Sequence, residues 1–230
     1  MTPPPKPPRE LYGLEAIRGE MQAVDAKLPG PVDVYLLGGC AMSYLRLKPS
    51  TKDLDLVMQD TKTLATLEQG LRDSQYAAMS LEKPYDQLRA NALYKRDGAP
   101  QWDLYVGKVC GCLSLSPGMR NRATLVEPAL TRLRIHACSP SDIFVFKSIT
   151  EREADLDDLD LLASQGLVDW AAVLEEMEWQ RQNSDTVWTV RFLERLEALE
   201  ERGFTVPITK QVHALAEEDL ERTYGHKLPK

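Results

Sequence analysis

The sequence has no apolar run of membrane-spanning length, and among its 230 residues there are only four cysteines, three histidines and 7% aromatic residues. Without such a run we predict no membrane-spanning helix. The N-terminus also lacks the charged-then-apolar order of a signal peptide. Four cysteines in a chain of this length do not form the disulfide framework of a small secreted domain. We therefore expect a cytoplasmic protein.

Basic residues are also in the minority, with 28 Lys and Arg against 35 Asp and Glu, for a net charge of -7. This balance argues against a strongly basic surface that coats nucleic acid, although a local basic patch is compatible with it. The length allows one large domain or two small ones, and either can bury a core.

The cysteine pattern gives a weak metal signal. Cys110 and Cys112 are separated by one glycine and could form half of a zinc site, but no second closely spaced Cys/His pair accompanies them. A structural zinc site needs four ligands. We therefore expect reduced, partly buried thiols.

Hydrophobic periodicity and turn residues predict an α+β front part followed by helices only. Residues 76–97 are ambiguous and receive no assignment. The predicted elements are a helix at 10–27, a strand at 32–37, a Gly-Gly turn, a helix at 40–47, a strand carrying Asp53 and Asp55, a helix at 61–75, strands at 101–106, 123–126 and 132–137, and helices at 140–149, 152–164, 169–182, 185–202 and 209–223.

The change of character falls at Ser139, which is a good helix N-cap, followed by Pro140 at the first helical position. We therefore predict a flexible N-terminal lead at 1–9, an α+β domain at 10–138 and a helical C-terminal domain at 139–230.

Asp53 and Asp55 form the first candidate for chemistry. They are two residues apart in an apolar β-type segment, so their side chains share one face of the strand. Carboxylates held that close raise each other's pKa unless a cation lies between them. The Gly38-Gly39 pair upstream opens onto a helix, where backbone N–H groups are suited to phosphate. Carboxylates beside a phosphate cradle suggest magnesium-dependent chemistry on a nucleoside triphosphate. The plainer alternative is a solvated acidic strand beside an ordinary turn.

Asp103 lies in a second apolar strand. If that strand neighbours the Asp53 strand, three carboxylates converge and a two-metal site becomes feasible. Without the other two carboxylates, Asp103 would more often be an ordinary strand residue.

The segment from Lys147 to Asp158 is the third candidate. Lys147 follows an apolar stretch, so its stem can be buried while its ammonium reaches a phosphate. Arg152 can hold an oxyanion or brace a carboxylate. The alternative is a helix with a solvated charged face, which on its own would be the commoner case.

Together these residues resemble a known family. Gly38-Gly39 followed by Thr51-Lys52-Asp53-Leu54-Asp55 resembles the signature of the nucleotidyltransferase superfamily, which has the DNA polymerase β-like fold. The later Lys147, Arg152, Asp155 and Asp158 are similar to a motif of AbiEii-type and related small nucleotidyltransferases. Two motifs in the expected order make the resemblance fairly specific, and it covers roughly residues 32–162.

The resemblance implies a nucleotidyltransferase-like mixed sheet flanked by helices and roles for individual residues. Asp53, Asp55 and Asp103 would bind Mg²⁺, with two ions expected, and Asp103 would help to activate the acceptor hydroxyl. The residues expected to contact the nucleotide are Gly38, Gly39, Lys147 and Arg152, and the supporting residues are Lys52, Asp155 and Asp158.

The resemblance further implies transfer of a nucleoside monophosphate from an NTP to a hydroxyl of tRNA or of a protein, and a drug-modifying transferase is another acceptor choice with the same chemistry. It raises the hypothesis of a toxin with an antitoxin-like protein partner. Many members have Gly-Ser where this chain has Gly38-Gly39, so one phosphate-binding hydroxyl is missing. The rival hypothesis is therefore a catalytically degenerate module on the same fold that binds nucleotides or proteins.

Overall fold

We analysed the protein in a computed structural model, which describes residues 10–80, 90–183 and 188–225. The predicted lead at 1–9 lies outside these ranges. So do part of the unassigned region 76–97 and the start of the helix predicted at 185–202.

Within the described residues the chain forms eleven strands, several of them only two residues long. They are β1 (Tyr12–Gly13), β2 (Val32–Leu37), β3 (Ser50–Thr51), β4 (Asp53–Met58), β5 (Ala77–Ala78), β6 (Ala92–Lys95), β7 (Gln101–Val106), β8 (Lys108–Val109), β9 (Leu113–Ser114), β10 (Thr124–Val126) and β11 (Leu133–Ala137).

The same ranges contain nine helices, five of which follow the last strand. They are α1 (Leu14–Asp25), α2 (Gly38–Tyr44), α3 (Thr61–Asp73), α4 (Pro117–Arg122), α5 (Pro140–Ser148), α6 (Glu153–Ser164), α7 (Trp170–Asn183), α8 (Thr189–Glu201) and α9 (Thr209–Tyr224). None of the helices in the described part of the chain is long and apolar enough to cross a membrane.

Seven strands form the main sheet in the order β10-β11-β2-β4-β7-β6-β5. The β11–β2 and β4–β7 pairs are parallel and the other pairs are antiparallel. The prediction of a mixed sheet flanked by helices and followed by helices alone is therefore confirmed. β4 lies near the middle of the sheet, so the strand that carries Asp53 and Asp55 has a neighbour on each side.

Most of the predicted elements are present within a few residues. The strands at 32–37 and 101–106 are confirmed at both ends. The N-cap is confirmed too, because Ser139 Oγ accepts a hydrogen bond from the Asp142 backbone N–H. All four cysteines are free thiols, as expected.

The predicted start of the first helix was wrong. The first helix begins at Leu14 and not at residue 10, because Tyr12–Gly13 pairs as a strand with Ser50–Thr51. Leu11, which the predicted helix includes, is 62% exposed. The short elements α4, β8 and β9 were not predicted.

One apolar core extends from the sheet into the later helices. Alternation along β4 leaves Leu54 and Leu56 fully buried on one face, while Asp53 and Asp55 lie half-buried on the other. This strand thus contributes to the core and to a polar surface at once.

A buried ion-pair cluster joins the end of α4 to two of the later helices. Arg122 Nη2 lies 2.6 Å from Asp142 Oδ1 of α5 and 2.6 Å from Glu176 Oε2 of α7. The side chains of both carboxylates are almost fully buried, with 1% and 2% exposure. Neutral donors also contact these carboxylates, but Arg122 is the cation that pairs with both of them, and a buried charge that loses its counter-ion is costly.

We therefore expect Arg122→Met to lower the free energy of unfolding by about 3–5 kcal/mol, since it leaves two buried carboxylates without a counter-ion. Urea denaturation monitored by circular dichroism measures this loss. Arg202→Met is the matched control, because the partners of Arg202 include the largely exposed Glu153 and Asp157, and such pairs contribute little. Similar losses for the two variants would contradict the prediction.

Candidate active site

The three predicted acidic residues lie on one face of the sheet. β4 and β7 are parallel neighbours in which Asp53 is paired with Gln101 and Asp55 with Asp103. Residues paired in this way in a parallel ladder present their side chains to the same face. Asp103 is only 2% exposed, and its Oδ1 accepts a hydrogen bond from Gln101 Nε2 at 2.6 Å. The strand pairing therefore brings the Asp103 carboxylate next to that of Asp55.

The electrostatics of Asp55 reflect this crowding. Burial raises the pKa of Asp55 well above its ordinary value, and the negative charges of Asp103 and Asp53 raise it further. Lys147 and Arg152 lower it, but they do not offset the other effects. A carboxylate in such surroundings favours a bound proton or a nearby cation.

Gly38 packs directly against Asp55. A Cβ at position 38 would lie 2.1 Å from Asp55 Oδ2, well inside contact distance, and the residue has a φ of +65°. A Cβ on the neighbouring Gly39 would lie 2.9 Å from Thr51 Oγ1. The pair forms the first two residues of α2 and is not a turn before the helix, which corrects the prediction. Glycine is required here because the backbone approaches a carboxylate at close range.

Lys147 lies in a buried ion-pair network with two residues of α6. Its Nζ is 2.7 Å from Asp155 Oδ1 and 2.7 Å from Asp158 Oδ2, and the residue is 6% exposed. Burial alone would lower the pKa of Lys147, but the two carboxylates raise it above its ordinary value. The ammonium is thus charged and already paired.

Lys48 extends this network towards the sheet. Its Nζ lies 2.5 Å from Asp158 Oδ1, so each oxygen of that carboxylate has its own lysine. Lys48 follows α2 in the chain, and the pair therefore connects the segment after the Gly38 helix with α6. Sequence reasoning missed Lys48, because a single lysine in a loop carries no distinctive signal.

Arg152 occupies a different position from Lys147. Its Nε lies 2.6 Å from Asp155 Oδ2, yet 57% of its side chain is exposed. Its two terminal nitrogens have no hydrogen-bond partner among the described residues. Of the two predicted cations, Arg152 has the donors that remain available to a ligand.

A narrow cleft of about 40 Å³ brings several of these residues together. It is lined in part by Gly38, Asp55, Lys147 and Arg152, and also by Tyr105 of β7. Four residues predicted from distant parts of the sequence therefore share one cleft. Sequence reasoning missed Tyr105, although its spacing from Asp103 places both on one strand face.

Asp53 faces a second and larger cavity. This cavity measures about 380 Å³, and Lys52, Lys95, Arg96 and Gln101 contribute to its lining. Asp53 and Asp55 therefore line two different cavities although they are two residues apart. Lys52, which was predicted as a supporting residue, belongs to the larger cavity and not to the cleft.

The acidic residues do not form a complete metal site by themselves. Among the described residues, no group of three or more His, Cys, Asp or Glu side chains is placed so that it could hold a metal ion, so a bound Mg²⁺ would need oxygen ligands from a substrate or from water. Mg²⁺ in nucleotide enzymes commonly takes one or two carboxylates and completes its shell with phosphate oxygens and water. Burial and, after it, the negative charges of Asp103 and Asp53 raise the pKa of Asp55, and a cation beside this carboxylate would offset both effects.

No protein-family model and no curated protein sequence matches this chain. A nucleotidyltransferase-like antigenic protein from Paracoccidioides brasiliensis is similar in structure, with 16% identity, coverage of 68% of this chain and 79% of that chain, and a TM-score of 0.42. ANT(2″)-Ia, solved in complex with adenylyl-2″-tobramycin, shows 12% identity, coverage of 73% and 96%, and a TM-score of 0.46. Both likenesses are too distant to assign an activity to this chain.

Because Gly38 contacts Asp55, we predict that Gly38→Ala destabilises the protein more than the same substitution at another glycine with a positive φ and open space around it. Gly166→Ala is the matched control, since Gly166 has a φ of +64° but nothing within 4 Å of the place that an added methyl group would take. Each alanine costs about 1–2 kcal/mol of backbone strain. Gly38→Ala must also displace the Asp55 carboxylate, so its loss of unfolding free energy in urea should be clearly larger. Equal losses would contradict the close contact.

The raised pKa of Asp55 predicts a characteristic pH dependence of stability. An unfolded aspartate titrates near 3.8 and the folded Asp55 titrates higher, so the folded state binds more protons between these two pH values. Stability from this group is therefore present at low pH and is lost as the pH rises through the folded pKa. In EDTA, Asp55→Asn should be more stable than the wild type at pH 7, with a smaller advantage at pH 4.

Asp60 provides the opposite control for the pH experiment. Its pKa is lowered by the backbone N–H of Thr63, which its side chain caps at the start of α3. Its contribution to stability is present above the unfolded pKa and is lost as the pH falls. Urea denaturation of both Asn variants across this pH range should thus give opposite trends, and parallel trends would contradict the assignment.

Proposed function

We propose that this chain is a magnesium-dependent nucleotidyltransferase that moves a nucleoside monophosphate from an NTP to a hydroxyl of an acceptor. The observation that carries the proposal is the placement of Asp53, Asp55 and Asp103 on one sheet face, with Arg152 lining the same cleft as Asp55. Carboxylates for a divalent cation and a guanidinium for phosphate are the two components that this chemistry needs.

In this reaction the acceptor oxygen forms a bond to the α-phosphorus of the NTP, and the bond from that phosphorus to pyrophosphate breaks. Asp53, Asp55 and Asp103 would hold one or two magnesium ions, which neutralise charge on the phosphates when bound. Asp103 has the smallest exposed fraction of the three. We assign it to the acceptor hydroxyl, whose proton it would orient or accept.

The cationic side of the cleft has two separate tasks in this proposal. Arg152 would contact the phosphates, because its terminal nitrogens are available and its guanidinium can bind an oxyanion bidentately. Lys147 would contribute its positive charge from within its network with Asp155 and Asp158. Gly38 and Gly39 would allow the chain to approach the phosphates closely, and Lys52 would support Asp53 from the larger cavity.

The acceptor and the biological role belong to the same proposal. We infer tRNA or a protein as the acceptor, in the cytoplasm, and a toxin function in partnership with an antitoxin-like protein. The support for this part is the resemblance of the Lys147 to Asp158 segment to AbiEii-type proteins. A gene neighbour that encodes a small DNA-binding protein would add support.

One observation favours the rival proposal of a catalytically degenerate module that binds nucleotides or proteins. The Lys147 ammonium is paired with two carboxylates, so it contacts a phosphate only if one of these pairs opens. In addition, Gly39 supplies no hydroxyl for a phosphate. A degenerate module would bind nucleotide and leave every acceptor unlabelled.

The test is incorporation of label from NTPs that are labelled at the α-phosphate. Each of the four NTPs is incubated with MgCl2, the protein and either cellular RNA or cellular protein. We expect one NTP to label one of these pools. Asp53→Asn and Asp55→Asn should reduce labelling by at least about 100-fold, which is the scale for loss of one electrostatic group from an active site.

Asp60→Asn is the control, because Asp60 follows the same strand but lies at an exposed helix cap. It should retain wild-type labelling. No labelling of any pool, together with NTP binding by the wild type, would favour the degenerate module. No labelling and no NTP binding would overturn both proposals.

A further inference from the structure

Tyr105 is the most unusual polar residue of the cleft. It lies on β7 two residues after Asp103, and only 2% of it is exposed. It nevertheless lines the cleft that contains Gly38, Asp55 and Arg152. Burial raises the pKa of Tyr105, and the negative charges of Asp55 and Asp103 raise it further. The hydroxyl therefore belongs to the acidic side of the cleft.

The Tyr105 hydroxyl has no hydrogen-bond partner among the described residues. This contrasts with Tyr76 and Tyr94, two other buried tyrosines of the sheet region, whose hydroxyls pair with Glu20 and Arg72. Among the described residues, the enclosed side-chain polar atom without a partner is Trp102 Nε1 and not the Tyr105 oxygen, so this hydroxyl is not sealed in the core but reaches the cleft. An open hydroxyl at a cleft thus points to a ligand.

The size and charge of the cleft limit what that ligand can be. A volume of about 40 Å³ is close to that of one or two water molecules, so an oxygen atom of a ligand fits into the cleft. Arg152 also lines this cleft, and its terminal N–H donors have no partner among the described residues. A neutral phenol can donate a hydrogen bond, and an anion is the acceptor that such donors share.

We infer that the Tyr105 hydroxyl donates a hydrogen bond to a phosphate oxygen of the nucleotide, together with Arg152. This inference rests on the proposed function, since it takes the ligand of the cleft to be the phosphate chain of an NTP. Tyr105 is then a phosphate-contacting residue, and the base and ribose lie outside the cleft.

The experiment compares wild type and Tyr105→Phe in their binding of two probes, each with MgCl2. One probe is the NTP that the wild type binds best, and the other is tripolyphosphate, which has the phosphate chain without base or sugar. Calorimetric titration gives both dissociation constants. Loss of a hydrogen bond to a charged group should weaken the binding of both probes by about tenfold or more.

The stability of the free variant separates a binding contact from a structural one. Tyr105→Phe removes no hydrogen bond within the described residues, so its melting temperature without ligand should equal that of the wild type or exceed it. Tyr76→Phe is the control, since it removes the hydrogen bond to Glu20. It should melt at a lower temperature and bind both probes as the wild type does.

Each other outcome has a definite meaning. Unchanged binding of both probes by Tyr105→Phe would overturn the inference and leave the proposed function standing. Weaker binding of the NTP alone would place the hydroxyl on the nucleoside and would also overturn it. If the wild type binds neither probe, the proposed function fails and the inference fails with it.

Discussion

The repulsion among three carboxylates on one face of β4 and β7 is the constraint on which the rest of the site depends. Asp55 and Asp103 are paired across the two strands, Asp53 is two residues away, and burial adds to the energetic disadvantage of their charges. Such an arrangement destabilises the folded protein at neutral pH unless a cation is present. Groups of buried carboxylates with strongly shifted pKa values occur at functional sites more often than elsewhere in folded proteins.

The positive groups opposite this cluster are arranged by a second network. Asp158 accepts from Lys48 and Lys147, and Asp155 accepts from Lys147 and Arg152. Two carboxylates thus hold three cations, which leaves a net positive charge on the helical side of the cleft. Because Lys147 is enclosed and Arg152 is partly exposed, the network fixes one cation in place and presents the other.

Much of the fold was accessible from local pattern. The strands at 32–37 and 101–106 and the cap at Ser139 were predicted because strand alternation, turn residues and capping depend on neighbours in the sequence. The first helix was predicted too long, because Tyr12–Gly13 pairs with a strand almost forty residues away. The role of Gly38 at the start of α2 depends likewise on the Asp55 side chain against it.

For the site, the sequence by itself determined that Asp53 and Asp55 share a face, since a strand alternates with a period of two residues wherever it lies. Only the tertiary structure decided that Asp103 lies beside Asp55, that Asp53 opens onto a separate cavity and that Lys147 is enclosed by two carboxylates. The tertiary structure also places Tyr105 at the cleft, where its hydroxyl has no hydrogen-bond partner among the described residues. Lys147 and its two carboxylates are close in sequence but lie on successive helices, and the pairing of Asp103 with Asp55 joins strands that are tens of residues apart. The distances follow from how the strands and helices pack and not from any local spacing.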